Sequence, residues 1–265
     1  MPPTYREILN QRLPEPADRR WDVRSLLGHF ALINYALPRE RLERYIPLDR
    51  FSIPVFMVDG QPQAMISAVP FLDRDFHFIH WLPWLTWRFA QTNYRAYVID
   101  KATGEHCVWF FGTTLGAALV EIPRRIWKLP WHRARYTLDC RYDPAARRYT
   151  TYRMAVQSRW GSARIDLADS GRPLERSPGF ASLDELRLIL THPIDGYFYR
   201  RDGQLGTYSV WHAEIPLTMG QANDLYFAVF EDLGLLSQAE MQRPHSVFIS
   251  PETEFKVLLP PRILP

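Results

Sequence analysis

One short segment combines titratable and aromatic side chains: residues 126–136 read IWKLPWHRARY and contain Lys128 and His132. A lysine that is desolvated or lies beside another cation can be neutral enough to attack a carbonyl carbon. A histidine titrates near neutrality and is a common general acid or base. The segment therefore predicts a nucleophilic lysine or an acid/base histidine. The structural alternatives are a solvated cation at a helix end for Lys128 and a backbone hydrogen bond for His132.

An arginine in an apolar strand pattern is a second candidate. In NYRAYVI, residues 93–99, the side chains of Asn93, Arg95 and Tyr97 share one face. A buried guanidinium needs a carboxylate partner or an anionic ligand, since an unpaired buried charge is very costly. Arg95 is therefore paired with a buried acid such as Glu214 or Asp139, or available to a substrate carboxylate.

His212 raises a similar choice, because it shares a strand face with Tyr208, Val210 and Glu214 in GTYSVWHAEI. If that face points inward, it lines a polar pocket. If it points outward, it is surface. The pattern alone leaves both open.

Metal and cofactor signatures are weak. DRDFHFIH, residues 73–80, holds two Asp and two His, but no HExxH or comparable pattern supports a metal site. The chain also lacks GxGxxG, P-loop and GxSxG motifs. We expect neither a metal nor another cofactor.

The elements that must position these residues are mostly short strands, rich in β-branched and aromatic residues and bounded by Gly, Pro or Asp. Helices are predicted at 37–47, at 114–127, at 182–190 after the capping pair Ser182 and Glu185, and at 221–236. Strands are predicted at 64–71, 93–99, 106–111, 135–143, 149–158, 162–168, 196–200, 206–215, 246–250 and 254–259. This pattern indicates a β-rich α+β fold, a barrel or sandwich with a helical layer.

Composition limits the class of protein. The 265 residues suit one domain at 21–265 after a polar N-terminal arm at 1–20. Nine Trp, thirteen Tyr and fifteen Phe suit either a wide apolar pocket or a well-filled barrel. The net charge is +3, and the sequence has no basic arm of the kind that neutralises many phosphates. Nucleic acid is therefore not an expected partner. The N-terminus has no apolar signal region and the chain has no apolar run of about 18 residues, so we expect a cytoplasmic protein without a membrane partner.

Several stretches resemble the YqjF-like family of bacterial proteins, a domain of unknown function numbered 2071. Its members carry an N-x-R-x-Y-V strand, a G-V-W-F-F strand, an apolar Ala-rich helix and a Leu-Pro-aromatic-x-x-Ala turn, which match the run from NYRAYVI to WHRARY, residues 93–136. NYALPRERLERYIP (34–47) and LTHPIDGYFYRRDGQLGTYSVWHAEIPL (190–217) resemble its flanking segments. The likeness spans about residues 21 to 260.

That family is similar in fold to acetoacetate decarboxylase, which implies a cone-shaped antiparallel β barrel with outer helices and an internal ligand cavity. In the decarboxylase, a Schiff-base lysine and its activating lysine follow a proline. Matching Pro130 to that proline places Trp131 and His132 at the positions of the two lysines. The resemblance therefore implies that this chain lacks the nucleophilic lysine. Gln91 stands where the decarboxylase has a glutamate and Ala36 where it has an arginine. A Schiff-base decarboxylase is therefore not expected.

The chain also departs from the family at LTHPI, where the family segment reads Leu-Thr-Glu-Arg-Tyr. Thr191 is kept, but His192, Pro193 and Ile194 replace the other residues. The resemblance implies a buried Glu–Arg pair that is lost here. A ligand carboxylate or Glu214 then remains as the partner of Arg95.

These observations lead to one function hypothesis and one rival. The first is a small-molecule enzyme of lyase, isomerase or cyclase type that acts on a carbonyl-bearing, largely apolar substrate by non-covalent acid/base chemistry. In it, His132, Arg95 and His212 are catalytic, and the substrate-binding residues are Gln91, Asn93, Tyr97, Trp109, Trp131 and Thr191. The rival is a binding or sensing protein that keeps the barrel without catalysis. Barrels of this type often associate through edge strands, so a homo-oligomer is a further expectation.

Overall fold

Strands dominate the computed structural model, which describes residues 3–81, 83–118 and 121–264. The strands are β1 (Val23–Leu37), β2 (Phe51–Ser52), β3 (Phe56–Val58), β4 (Gln61–Phe78), β5 (Trp87–Asp100), β6 (His106–Leu115), β7 (Trp131–Arg133), β8 (Arg135–Asp143), β9 (Arg148–Gln157), β10 (Ala163–Pro173), β11 (Asp195–Tyr199), β12 (Leu205–His212), β13 (Thr218–Phe227) and β14 (Ser246–Ile263). The helices are α1 (Tyr5–Arg12), α2 (Glu40–Glu43), α3 (Glu121–Ile126), α4 (Leu183–Leu186), α5 (Ala228–Asp232) and α6 (Gln238–Met241), and a π-helical turn follows α4 at Arg187–Thr191.

Nearly all described strands join one sheet. The hydrogen-bonded order is β1-β4-β5-β6-β11-β12-β14-β13-β10-β9-β8, and β1 also pairs with β14. Pairing is mostly antiparallel, as expected, but β7 and β11 each run parallel to β6. The long strand β14 pairs with β13 through residues 247–249 and with β12 through residues 255–263, so it takes part in both halves of the sheet.

The two faces of β5 serve different parts of the molecule. Tyr94, Ala96 and Val98 pack into a large buried core that also contains residues of β9, β10 and β13. The alternate residues Gln91 and Arg95 face the other way, because successive side chains of a strand point to opposite sides. A single strand thus anchors one core and presents polar groups to the opposite side of the sheet.

Several predicted elements are confirmed. The strand over 135–143 has the predicted bounds. Ser182 caps α4 by accepting a hydrogen bond from the backbone N–H of Glu185 at 3.1 Å. The predicted helix at 182–190 continues as the π-helical turn to Thr191.

Two predicted helices are wrong in part. Residues 218–227 form β13 because they pair with β10 and β14, and only the following five residues are helical. Thr114 and Leu115 extend β6 because they pair with Thr92 and Gln91, and α3 begins at Glu121. Residues 119–120 of this predicted helix lie outside the described residues. Within the described ranges, the structure contains no helix that is long and apolar enough to cross a membrane.

Candidate functional site

A largely apolar cavity of about 420 Å³ lies on the side of β5 that carries Gln91 and Arg95. Its wall comes from β1, β4, β5, β6, β11, β12 and β14, and from the segment Pro123–Trp131, which starts within α3. Most of the lining is aliphatic or aromatic. Such a lining with few polar groups is typical of small-molecule sites.

One end of the cavity is marked by partly exposed aromatic residues. Trp21 and Trp81 line the cavity and stack on each other with ring centroids 5.1 Å apart. They remain 38% and 45% exposed, and the lining residue Ile126 is 66% exposed. These exposed lining residues identify the opening of the cavity.

Three polar side chains of β5 enter the cavity at every second position: Gln91, Asn93 and Arg95. The Asn93 side-chain oxygen accepts a hydrogen bond from the Thr113 hydroxyl at 2.8 Å, which leaves the amide N–H groups of Asn93 available. The predicted shared face of Asn93 and Arg95 is confirmed. The row supplies one cation and two neutral amides to the cavity.

Arg95 is held by neutral groups. Its Nε donates to the Ser67 hydroxyl at 3.1 Å, and its Nη2 donates to the carbonyl oxygen of Leu190 at 3.0 Å. No carboxylate of the described residues lies within 4.0 Å of the guanidinium. The expected acidic partners are engaged elsewhere: Glu214 pairs with Arg187 at 2.8 Å, and Asp139 pairs with Arg141 at 3.0 Å.

A carboxyl group that we did not predict as a site residue also lines the cavity. Asp73 is 3% exposed, and its Oδ1 accepts a hydrogen bond from the Ser25 hydroxyl at 2.8 Å. Its Oδ2 has no hydrogen-bond partner among the described residues. Burial raises the pKa of Asp73 to about 7, and the Ser25 hydrogen bond opposes this shift only in part. Such a carboxyl can exchange a proton near neutral pH.

The sequence contained a signal for Asp73. It directly follows the largely apolar run at 64–72 and lies two residues after Phe71, so it shares the inward face of Phe71. Phe71 pairs with Gln91 across β4 and β5, and Asp73 pairs with Phe89. Asp73 and Gln91 are therefore diagonal neighbours on the cavity face, about 7–8 Å apart at the backbone.

Tyr208 adds a phenol to the cavity. Its ring stacks on Phe110 with centroids 5.6 Å apart, and no hydrogen bond to its hydroxyl is found in the described part of the chain. Burial raises the pKa of Tyr208, although the positive charge of Arg95 acts in the opposite direction. The phenol is therefore neutral at physiological pH and able to donate a hydrogen bond.

His212 lies behind the cavity wall. Its ring is buried and stacks on the lining residue Phe255 with centroids 5.6 Å apart. Its Nδ1 is 2.8 Å from the carbonyl oxygen of Ala213, and the His192 ring is 4.2 Å away. Burial and, to a smaller extent, the charge of Arg95 lower the pKa of His212 to about 4. Of the two directions that the sequence left open for this face, Tyr208 and Val210 point into the cavity, whereas Glu214 is exposed.

The structure separates the two neighbours Trp131 and His132. Trp131 lines the cavity, as predicted, whereas His132 lines a different concavity on the outer surface. The His132 ring stacks on Trp160 with centroids 4.0 Å apart, and burial lowers its pKa to about 4. Because alternate residues of β7 point to opposite sides, His132 and Arg95 do not meet in one cavity.

The remaining predicted site residues surround the cavity rather than line it. The Tyr97 hydroxyl is buried within 3.3 Å of Arg95 Nη2 and within 3.0 Å of the Ser67 hydroxyl, so Tyr97 helps to hold the guanidinium. The Thr191 hydroxyl donates to the carbonyl oxygen of Arg187 at 2.8 Å. Trp109 belongs to the core on the opposite face of the sheet, where it packs against Phe51.

None of the three lysines lines the cavity. Lys101 and Lys128 are exposed. Lys256 is fully buried, but its ammonium group bonds to Asp18 and to the carbonyl oxygen of Pro16 in the segment before β1. The described residues also contain no group of three His, Cys, Asp or Glu side chains that could hold a metal ion.

Comparison with known proteins yields a family and a fold. The family DUF2071, described as "Uncharacterized conserved protein", matches residues 26–254. No curated protein matches the chain.

Three solved structures illustrate the likeness in fold. An acetoacetate decarboxylase from Legionella pneumophila is 14% identical, with a TM-score of 0.57 over 97% of this chain and 95% of the other. The enduracididine biosynthesis enzyme MppR, complexed with pyruvate, is 12% identical, with a TM-score of 0.58 over 94% and 92%. An acetoacetate decarboxylase-like enzyme from Sphingomonas wittichii is 9% identical, with a TM-score of 0.53 over 92% and 94%. At these identities the comparisons show a shared fold.

Proposed function

The chain belongs to the DUF2071 family, and on that premise we propose that it is a small-molecule enzyme that moves a proton on a carbonyl-bearing, largely apolar acid. Arg95 binds the carboxylate of the substrate, Gln91 and Asn93 polarise its carbonyl group, and Asp73 accepts and returns the proton. The chemistry is non-covalent and of the isomerase, lyase or cyclase type.

The proposed scaffold is a cone-shaped barrel that encloses the cavity. Following the hydrogen-bonded neighbours from β1 through β4, β5, β6, β11 and β12 to β14 leads back to β1, because β14 and β1 also pair. All seven of these strands contribute lining residues. The fold shared with the acetoacetate decarboxylase from Legionella pneumophila supports the same assignment.

The observation that carries the proposal is the unpaired guanidinium of Arg95 in an apolar cavity. A buried cation without a carboxylate is costly, and an anionic ligand removes that cost. The neutral contacts to Ser67 and Leu190 fix the orientation of the group without neutralising its charge. Arginine is well suited to this task because its fork of N–H groups matches a carboxylate.

The spacing of the polar groups defines the shape of the substrate. Asp73 on β4 lies opposite Phe89 on β5, and Phe89 is six residues before Arg95 on that strand. Six residues of strand correspond to roughly 20 Å. The amides of Gln91 and Asn93 lie between these ends. An elongated acid would place its carboxylate at Arg95 and its apolar end toward Trp21 and Trp81 at the opening.

The chemical step is an enolisation. The Asp73 carboxylate takes a proton from a carbon next to the carbonyl, and the electron pair of that C–H bond shifts to the carbonyl oxygen. The N–H groups of Gln91 or Asn93 donate to the developing enolate oxygen, a form of electrostatic stabilisation that acts in the transition state. Return of the proton to another carbon completes an isomerisation, and loss of a leaving group completes an elimination.

An imine mechanism has less support. No lysine is among the described residues that line the cavity, and Trp131, which the resemblance matches to the position of the Schiff-base lysine, lies on the cavity wall. The same observation favours the rival function, a binding or sensing protein without catalysis.

Proton exchange in D₂O separates the two functions. The protein is incubated with a series of long-chain oxo acids in which the carbonyl lies progressively farther from the carboxylate, and deuterium incorporation next to the carbonyl is followed by NMR against a sample without protein. The enzyme hypothesis predicts exchange that is lost in Asp73→Asn and kept in Asp75→Asn, which alters an exposed carboxylate nearby. Binding of the acids without exchange supports the rival. A borohydride-stable adduct on Lys128 would overturn the non-covalent mechanism.

A further inference from the structure

A second concavity lies outside the barrel wall, beside β7 and the beginning of β8. We call it the basic groove; its lining includes Arg124, His132, Arg133, Arg135, Arg159 and Trp160. No Asp or Glu is among the described residues that line it. The groove therefore collects positive charge without internal compensation.

Three of its arginines have no acidic partner. Arg133, Arg135 and Arg159 are exposed, and no carboxylate of the described chain lies within 4.0 Å of them. Arg124 pairs with Glu121 at 3.0 Å, yet its buried Nε has no hydrogen-bond partner in the described residues. By contrast, Arg153 and Arg164 on the neighbouring strands β9 and β10 are each paired with an aspartate.

The basic groove is separate from the cavity described above. Trp131 points into the cavity and His132 points into the groove, so β7 forms the partition. The His132 and Trp160 rings, which both line the groove, stack with an interplanar angle of 6°. Gly112 makes room for this stack, since a Cβ at that position would lie 2.7 Å from the Trp160 ring.

We propose that the basic groove binds a phosphate-bearing small molecule and that Arg133, Arg135 and Arg159 hold its polyphosphate group. Arg133 and Arg135 are two residues apart in sequence, roughly 7 Å in extended chain, and both line the groove. This spacing suits oxygens of successive phosphates rather than one carboxylate. Guanidinium groups form paired hydrogen bonds with phosphate oxygens. The exposed setting leaves room for the rest of the molecule.

Calorimetric titration with tripolyphosphate, ATP and adenosine tests this site. We expect tripolyphosphate and ATP to bind and adenosine not to bind. The double variant Arg133→Gln/Arg135→Gln should weaken tripolyphosphate binding by at least about tenfold, since two of the three proposed phosphate-binding guanidinium groups are lost. The control Arg153→Gln/Arg164→Gln removes the same charge from the adjacent surface and should bind like the wild type.

The remaining outcomes are equally informative. Tighter binding of ATP than of tripolyphosphate identifies a nucleotide as the ligand, and equal affinity identifies the polyphosphate group alone. The proposal is overturned if neither phosphate compound binds, or if both double variants lose affinity equally. Preference for a short DNA oligonucleotide over ATP would also overturn it in favour of a nucleic-acid surface. Circular dichroism of each variant confirms that the fold is intact.

Discussion

The Nη2 group of Arg95 donates a hydrogen bond to the carbonyl oxygen of Leu190 at 3.0 Å, linking the cavity face of β5 to the π-helical turn that follows α4. The carbonyl oxygens of such a turn are free to accept a side-chain donor because its hydrogen bonding departs from that of the α-helix. The guanidinium is thus oriented by a neutral acceptor, and its charge stays available to a ligand.

Replacement of Arg95 should separate binding from folding. In Arg95→Met we expect binding of an apolar carboxylic acid to weaken by about ten- to a hundredfold, since a charge-assisted hydrogen bond is lost. The free energy of unfolding should change by less than about 2 kcal/mol, because the loss of the hydrogen bonds to Ser67 and Leu190 is offset by removal of an unpaired, partly desolvated charge. Titration calorimetry and urea unfolding measure the two effects. Arg88→Met, on the exposed face of β5, is the control. Wild-type affinity in Arg95→Met would remove Arg95 from the site.

The pKa of Asp73 predicts the pH dependence of catalysis. Burial raises this pKa to about 7, and Asp73 must be ionised to accept a proton. We therefore expect kcat/KM for deuterium exchange to rise about tenfold per pH unit below pH 7 and to level off above it. A profile that is flat between pH 5 and 8 would exclude Asp73 as the base.

The same residue should reduce stability at high pH. The folded state holds the Asp73 proton up to a pKa of about 7, whereas an unfolded aspartate releases it near pH 3.9. Stability conferred by the protonated group is present below about pH 4 and is lost as the pH rises to about 7. Asp73→Asn cannot ionise at this position, so its stability does not fall in this way as the pH rises. It should be more stable than the wild type by up to about 4 kcal/mol at pH 8. Urea unfolding at pH 4 and pH 8 tests the difference, with Asp75→Asn as the control. Equal pH slopes in wild type and Asp73→Asn would contradict it.

The sequence predicted the polar row on β5 because alternation is a local property of a strand. It could not show which of Trp131 and His132 faces the cavity, since that depends on the pairing of β7 with the distant strand β6. Similarly, the apolar spacing at 221–236 is compatible with a helix, and tertiary pairing with β10 and β14 made its first half a strand. Asp73 escaped prediction because its burial depends on Ser25 and the opposing strands.

Two tryptophans test the assignment of the two faces of the sheet. Trp131→Phe changes the cavity wall and should alter ligand affinity, whereas Trp109→Phe should leave it unchanged because Trp109 packs on the opposite face. Trp109 is 2% exposed, so its replacement should lower the free energy of unfolding by about 1–3 kcal/mol. Affinity and stability are measured on both variants. A strong affinity loss in Trp109→Phe alone would place the ligand on the other side of the sheet.

The buried pair His192 and His212 should make the fold sensitive to acid. Burial lowers the pKa of His192 to about 3 and the pKa of His212 to about 4. Nearby cations contribute in the same direction: Arg12 acts on His192 and Arg95 acts on His212. An unfolded histidine takes up a proton near pH 6.5, which the folded state resists. Stability is therefore present above about pH 6.5 and lost as the pH falls toward 4, by about 3 kcal/mol for His212. His212→Gln should reduce this loss, and His80→Gln, an exposed control, should not. Urea unfolding at pH 7 and pH 4.5 gives the comparison, and the same acid sensitivity in His212→Gln as in the wild type would show that His212 is not its source.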